Sequence, residues 1–140
     1  MIRGEFQYSL DDKGRVVIPP KFRRALGDQV VATRNIDRAV SVYSAAEWSK
    51  VEESLRRLPV SRRDLLHYML AGAVDLELDR QGRVTLPPHL RQHAEIERDV
   101  VVVGLISRLE VWSRAFWQSH IEKIQKSAPQ LAEQIEELRL

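Results

Sequence analysis

Two segments of this 140-residue chain repeat one another, and a chain made of two copies of one unit must bury both copies in comparable surroundings. They are Leu10-Asp11-Asp12-Lys13-Gly14-Arg15-Val16-Val17-Ile18-Pro19-Pro20-Lys21-Phe22-Arg23 and Leu78-Asp79-Arg80-Gln81-Gly82-Arg83-Val84-Thr85-Leu86-Pro87-Pro88-His89-Leu90-Arg91. Eight of the fourteen positions are identical, where ordinary composition gives roughly one by chance. The likeness continues from Val30-Val31-Ala32 to Val100-Val101-Val102, from Val42-Tyr43-Ser44 to Val111-Trp112-Ser113, and from Trp48 to Trp117. A half of about 45 residues buries too little apolar surface to stand alone, so the halves are expected to share one core. The organisation expected is one compact domain over 1–140: repeats at about 5–58 and 74–127, a bridging helical segment at 59–73 and a C-terminal helix at 130–140.

Alternation of Phe6, Tyr8 and Leu10, then of Val16 and Ile18, predicts two short strands joined by a tight turn at Asp11 to Gly14. Asp folds back on its own backbone, and Gly14 supplies the positive φ that closes such a turn. Val74, Leu76 and Leu78, then Val84 and Leu86, repeat the pattern. Pro19-Pro20 and Pro87-Pro88 cannot continue a ladder but suit the start of a helix, which predicts helices over 21–26 and 89–94. Strand pairs follow at 30–33 with 39–43 and at 100–103 with 109–112. Ser44 and Glu47 have capping-box spacing before a helix to about Leu58, and Ser61 is placed to cap a second helix. Phe116, Trp117, Ile121 and Ile124 mark another helix that ends near Pro129, and Leu131, Ile135 and Leu138 give the last one an apolar stripe.

Composition narrows the function. No cysteine is present, which excludes disulfides and thiolate metal sites, and no apolar run is long enough for a membrane span or a signal core. With a formal charge of only +2, a nucleic-acid site has to come from local clustering of basic residues. Lys13 and Arg15, then Arg80 and Arg83, sit on or beside the predicted turns, and Arg3, Lys21, Arg23 and Arg24 add to the first group. Two uses of the arginines fit. Arg15 and Arg83 can pair with Asp11 and Asp79 to fix the turns, or a planar guanidinium can address guanine O6 and N7 while a lysine or backbone amide holds phosphate.

The other candidates are plainer. His89 and His93 stand four apart on a helix but lack the Glu of a His-Glu-x-x-His run and a nearby third ligand, so a solvent-facing helix is expected and no metal. Trp48, Trp112 and Trp117 fall at core spacing rather than as a stacking platform. No nucleophile–base arrangement or phosphate loop is visible, so no catalytic residue and no cofactor is assigned and the chain is not read as an enzyme.

The paired Asp-x-(Lys/Gln)-Gly-Arg motifs, each followed by Val-x-(Ile/Leu)-Pro-Pro, resemble those of the MraZ family, as do Arg3-Gly4-Glu5, Leu70-Ala71-Gly72-Ala73 and Glu110-Val111-Trp112-Ser113. The resemblance implies an α+β fold, a swapped-hairpin β-barrel of the AbrB kind formed by two tandem repeats within one chain, with peripheral helices. It implies closed homo-oligomeric rings and a cytoplasmic, nucleoid-associated transcription regulator that binds double-stranded DNA at G-rich direct repeats in the promoter of the division and cell-wall gene cluster. No membrane or small-molecule substrate enters. The DNA-binding set it implies is Lys13 and Arg15, with Arg80 and Arg83 as counterparts; Arg3 and Gly14 complete the candidates. Asp12 beside Lys13, and Gln81 in place of Lys13, distinguish the two copies, and the first is expected to do more of the binding. The rival reading is an antitoxin-like or other protein-interaction module on the same barrel.

Overall fold

The computed structural model describes residues 2–140. The first half contains β1 (Ile2–Ser9), β2 (Arg15–Val17), α1 (Pro20–Leu26), β3 (Gln29–Arg34), β4 (Val40–Ser44) and α2 (Ala45–Arg56). A 3₁₀ turn (Val60–Arg62) and α3 (Arg63–Ala71) bridge to the second half. That half repeats the order with β5 (Val74–Glu77), β6 (Arg83–Thr85), α4 (Pro88–His93), β7 (Asp99–Ile106), β8 (Leu109–Ser113) and α5 (Arg114–Lys126), and α6 (Ala128–Leu138) ends the chain.

The fold is mixed α+β, with a six-stranded antiparallel sheet in the order β1-β7-β8-β4-β3-β5 and a separate pair, β2-β6. Of the six ladders among the described residues, only β3–β4 and β7–β8 lie within a half. The others join the halves. β1 runs along β7 from Ile2↔Ile106 to Ser9↔Asp99, β5 lies along β3, β4 meets β8, and β2 meets β6. This corrects the expectation of two local hairpins: the strands flanking each turn do not form a ladder with each other. Period-two alternation is satisfied equally by either partner, so the local pattern could not choose between them.

Exchange of strands gives the halves a common core. Val16, Ile18 and Phe22 of the first half and Val84, Leu86 and Leu90 of the second are fully buried in one cluster, with Val30, Val40, Val42, Val100, Val102 and Val111 from the sheet. The run Val100–Val103 is apolar at every position because β7 is covered on both sides. Val100 and Val102 face the main core, while Val101 and Val103 pack with Trp112 beneath Phe116 and Trp117 of α5. Val31, Tyr43 and Trp48 form the matching cluster under α2.

Local caps follow the sequence in part. Ser44 Oγ accepts from the Glu47 N–H, but the Glu47 carboxylate pairs with Lys50 and does not complete the box. Ser61 lies inside the 3₁₀ turn, and α3 starts after Arg62 with no side-chain cap. What holds α3 is β3: Thr33 Oγ1 donates to Met69 O, and Arg34 donates to Tyr68 O and His67 O. Pro129 lies in the first turn of α6, which starts at Ala128, two residues before the expected 130. No helix among the described residues is long and apolar enough to cross a membrane.

One buried carboxylate was not anticipated. Glu110, 5 % exposed, accepts hydrogen bonds from Asn35 Nδ2, Trp112 Nε1 and Arg108, so it ties the β3–β4 loop to β8 of the other half. Donors on several sides offset the cost of burying the charge.

Candidate nucleic-acid interface

Each motif turn is built by its aspartate. Asp11 Oδ1 accepts the backbone N–H groups of Lys13 and Arg15, both at 2.9 Å, and Oδ2 takes Arg15 Nε at 2.5 Å. Asp79 repeats this with the N–H groups of Gln81 and Arg83 at 2.9 Å and Arg83 Nε at 2.8 Å. Gly14 and Gly82 close the turns at φ +75 and +74, a region that costs other residues roughly 1–2 kcal/mol. The Arg15 N–H, helped by the Arg15 guanidinium and the Lys13 N–H, outweighs burial and holds the Asp11 carboxyl down at about 2. The Arg83 N–H and guanidinium lower Asp79 in the same way. Both aspartates are therefore charged at neutral pH.

The turns are joined by β2 and β6. Arg15↔Thr85, Val16↔Val84 and Val17↔Arg83 are opposite one another, and the Ile18 N–H to Gly82 O and Leu86 N–H to Gly14 O bonds extend the pair, each at 2.9 Å. Val16 and Val84 point into the core at zero exposure, so the pleat sends Arg15, Val17, Arg83 and Thr85 outward. Arg83 Nη1 lies 3.7 Å from Asp11 Oδ2, placing both motif arginines around one carboxylate. The result is a single ribbon contributed by both halves, with one turn at each end about 13 Å apart on a rise of 3.3 Å per residue.

Of the six candidates, the structure brings five together. Lys13 and Arg80 are exposed on the turns, Arg15 and Arg83 are partly buried on the outer face, and Gly14 is buried at its turn. Arg3 is not among them. It sits near the start of β1 opposite Leu105, roughly 23 Å of strand from Leu10. Among the described residues, Arg15 and Arg83 do form the ion pairs with Asp11 and Asp79, at side-chain exposures of 28 % and 24 %. The pairs hold each guanidinium by Nε.

Two further arginines belong to this ribbon. Arg23 Nε donates to Ile18 O at 3.1 Å and its guanidinium lies on Gly82, where an added Cβ would collide with Cζ and Nε. Arg91 Nε donates to Leu86 O at 3.0 Å and lies on Gly14, where a Cβ would come within 3.0 Å of Cζ. Both occur in the repeated motif, which was the available signal; that each serves the opposite half's turn follows only from the exchange. Arg23 therefore does not add to the first cluster as the sequence suggested.

A family model described as "MraZ protein, putative antitoxin-like" matches residues 1–65 and again 69–137. The chain belongs to the MraZ family. Relatives named "Transcriptional regulator MraZ" include those of Caldanaerobacter subterraneus subsp. tengcongensis, 40% identical over 143 residues and 100% of both chains, and of Natranaerobius thermophilus, 44% identical over 138 residues and 96% of both. That of Syntrophomonas wolfei subsp. wolfei is 43% identical over 141 residues, 99% of both. The MraZ model fits once on each half, in step with the repeat.

The remaining candidates resolve structurally. Trp48 and Trp112 are buried, and Trp117 packs against Trp112 with its Nε1–H on Glu5. His89 is exposed, as expected, while His93 is half-buried. Their Nε2 atoms lie 3.1 Å from Gly72 O and 2.8 Å from Asn35 O, and His93 meets the edge of Tyr68.

Proposed function

We propose that this chain is a sequence-specific DNA-binding transcription regulator that grips duplex DNA with the β2–β6 ribbon. The observation that carries the reading is the outward pairing of Arg15 and Arg83 on one ribbon whose two ends display Lys13 and Arg80. The Arg15 guanidinium, held through Nε, offers its terminal nitrogens for a bidentate contact with guanine O6 and N7 and loses little freedom on binding, while Arg83 also has Nη1 3.7 Å from Asp11. The exposed cations at the turns hold phosphates, and Gly14 shapes the turn that presents Lys13. A two-stranded ribbon is of the right width to enter a major groove.

The names of the relatives point the same way, and G-rich direct repeats in the promoter of the division and cell-wall gene cluster are the targets we assign. In this reading the exchanged strands are the swapped-hairpin barrel, one compact domain serves as protomer, and several protomers form a closed ring at the nucleoid. Ring assembly answers a problem of affinity. One ribbon with a few charge contacts binds weakly, whereas several on one duplex raise the effective concentration without new contacts. Head-to-tail neighbours present their ribbons in the same sense, which matches direct rather than inverted repeats.

Salt dependence separates this reading from a protein-interaction module. If Lys13, Arg15, Arg80 and Arg83 each displace a counterion, affinity falls about 100-fold per engaged protomer between 50 and 200 mM salt. Fluorescence anisotropy with a labelled promoter duplex measures it. A flat or absent response contradicts DNA binding and favours the interaction module.

A further inference from the structure

We infer that Arg23 and Arg91 are positioning residues that act across the repeat: each sets the DNA-reading turn of the half to which it does not belong. The inference rests on the DNA reading above, but its geometry does not. In one direction the Ile18 N–H donates to Gly82 O, Ile18 O accepts from Arg23 Nε, and the Arg23 guanidinium lies on Gly82. In the other, the Leu86 N–H donates to Gly14 O, Leu86 O accepts from Arg91 Nε, and the Arg91 guanidinium lies on Gly14. Each is a closed loop of contacts through a glycine, a ladder residue and an arginine.

The preceding sequence makes this loop possible. Pro19 and Pro87 have no N–H and end the ladder, and α1 and α4 then turn the chain back so that Arg23 and Arg91 reach the last ladder carbonyl. The glycines leave the space that the guanidiniums fill. With Arg91 removed, the first turn loses what packs on Gly14 and the Leu86 carbonyl loses a donor; Asp11 still holds Lys13 and Arg15 locally, so the turn loosens without unfolding. The consequence is crossed: Arg91 in the second half governs Lys13 and Arg15, while Arg23, only eight residues beyond Arg15, governs Gln81 and Arg83.

Two measurements on the intact protein test this. Hydrogen exchange followed by mass spectrometry, without DNA, is expected to show Arg91→Ala accelerating exchange at residues 11–15 and sparing 79–83, with Arg23→Ala doing the reverse. Acceleration confined to the same half's turn, or none at either turn, overturns the proposal. If an alanine variant does not fold, Arg91→Lys and Arg23→Lys serve instead. An ammonium keeps the charge but cannot lie flat on the glycine, so the same crossed pattern is expected.

The second measurement is anisotropy with promoter duplex. Arg91→Ala should weaken binding about tenfold with the salt slope unchanged. Its effect should be retained in full in an Arg83→Ala background, because the second turn is not the one Arg91 sets. A slope reduced by about one would make Arg91 a phosphate contact and overturn the positioning role. Should the wild-type protein not bind DNA, the proposed function fails, while the crossed control of the turns is still decided by exchange.

Discussion

Arg15→Ala abolishes binding to a promoter duplex with G-rich direct repeats, while circular dichroism and the native oligomer mass stay unchanged. The expectation turns on what the side chain does and does not support. Asp11 holds its turn chiefly through the backbone N–H groups of Lys13 and Arg15, which alanine retains, and Arg83 Nη1 remains near the carboxylate. The Arg15–Asp11 pair is partly exposed, so its loss moves Tm by no more than a few degrees. A bidentate guanine contact, by comparison, is worth about 1–3 kcal/mol, and in the proposed ring it is lost at every box. Loss of fold together with binding would instead assign Arg15 to the turn alone. Anisotropy, circular dichroism and native mass spectrometry on the same preparation distinguish the outcomes.

The largest effect on stability is expected at Phe22. It is fully buried, meets the Phe6 ring edge-on at a centroid distance of 5.4 Å, and belongs to the cluster that contains Val84, Leu86 and Leu90 of the other half. Phe22→Ala removes that contact and leaves a cavity, costing about 3–5 kcal/mol, a large share of a typical domain's 5–15 kcal/mol. For a chain of this size the midpoint falls roughly 10–15 °C. Because four ladders and the core join the halves, unfolding stays a single transition in calorimetry. Two separated transitions, or a cost below about 1 kcal/mol, would contradict a shared core.

What could be read from the sequence was local. Asp11-x-x-Gly14 names its own turn because Asp, Gly and their spacing suffice to make it, and the Pro-Pro pairs mark the starts of α1 and α4. The Val100–Val103 run marks a strand, while its cover on both faces is visible only in the fold. Partner choice was not legible, since β1 satisfies the same alternation whether it lies on β2 or on β7. Everything that depends on the partner was hidden with it: the single ribbon in place of two hairpins, Arg91 on Gly14 and Arg23 on Gly82. Arg3 was grouped with the motif by charge, yet it lies at the end of β1 remote from the turn. Ser61 had cap-like spacing, but Pro59 starts a 3₁₀ turn that moves the helix start beyond it.

The claim that the ribbon and its turns form the DNA interface is tested most directly by photo-cross-linking. A benzophenone side chain introduced at Lys13 or Gln81, both exposed on the turns, is expected to cross-link to the promoter duplex, and one at Glu137 on α6 is not. Cross-links from position 137 with none from 13 or 81 would contradict the account.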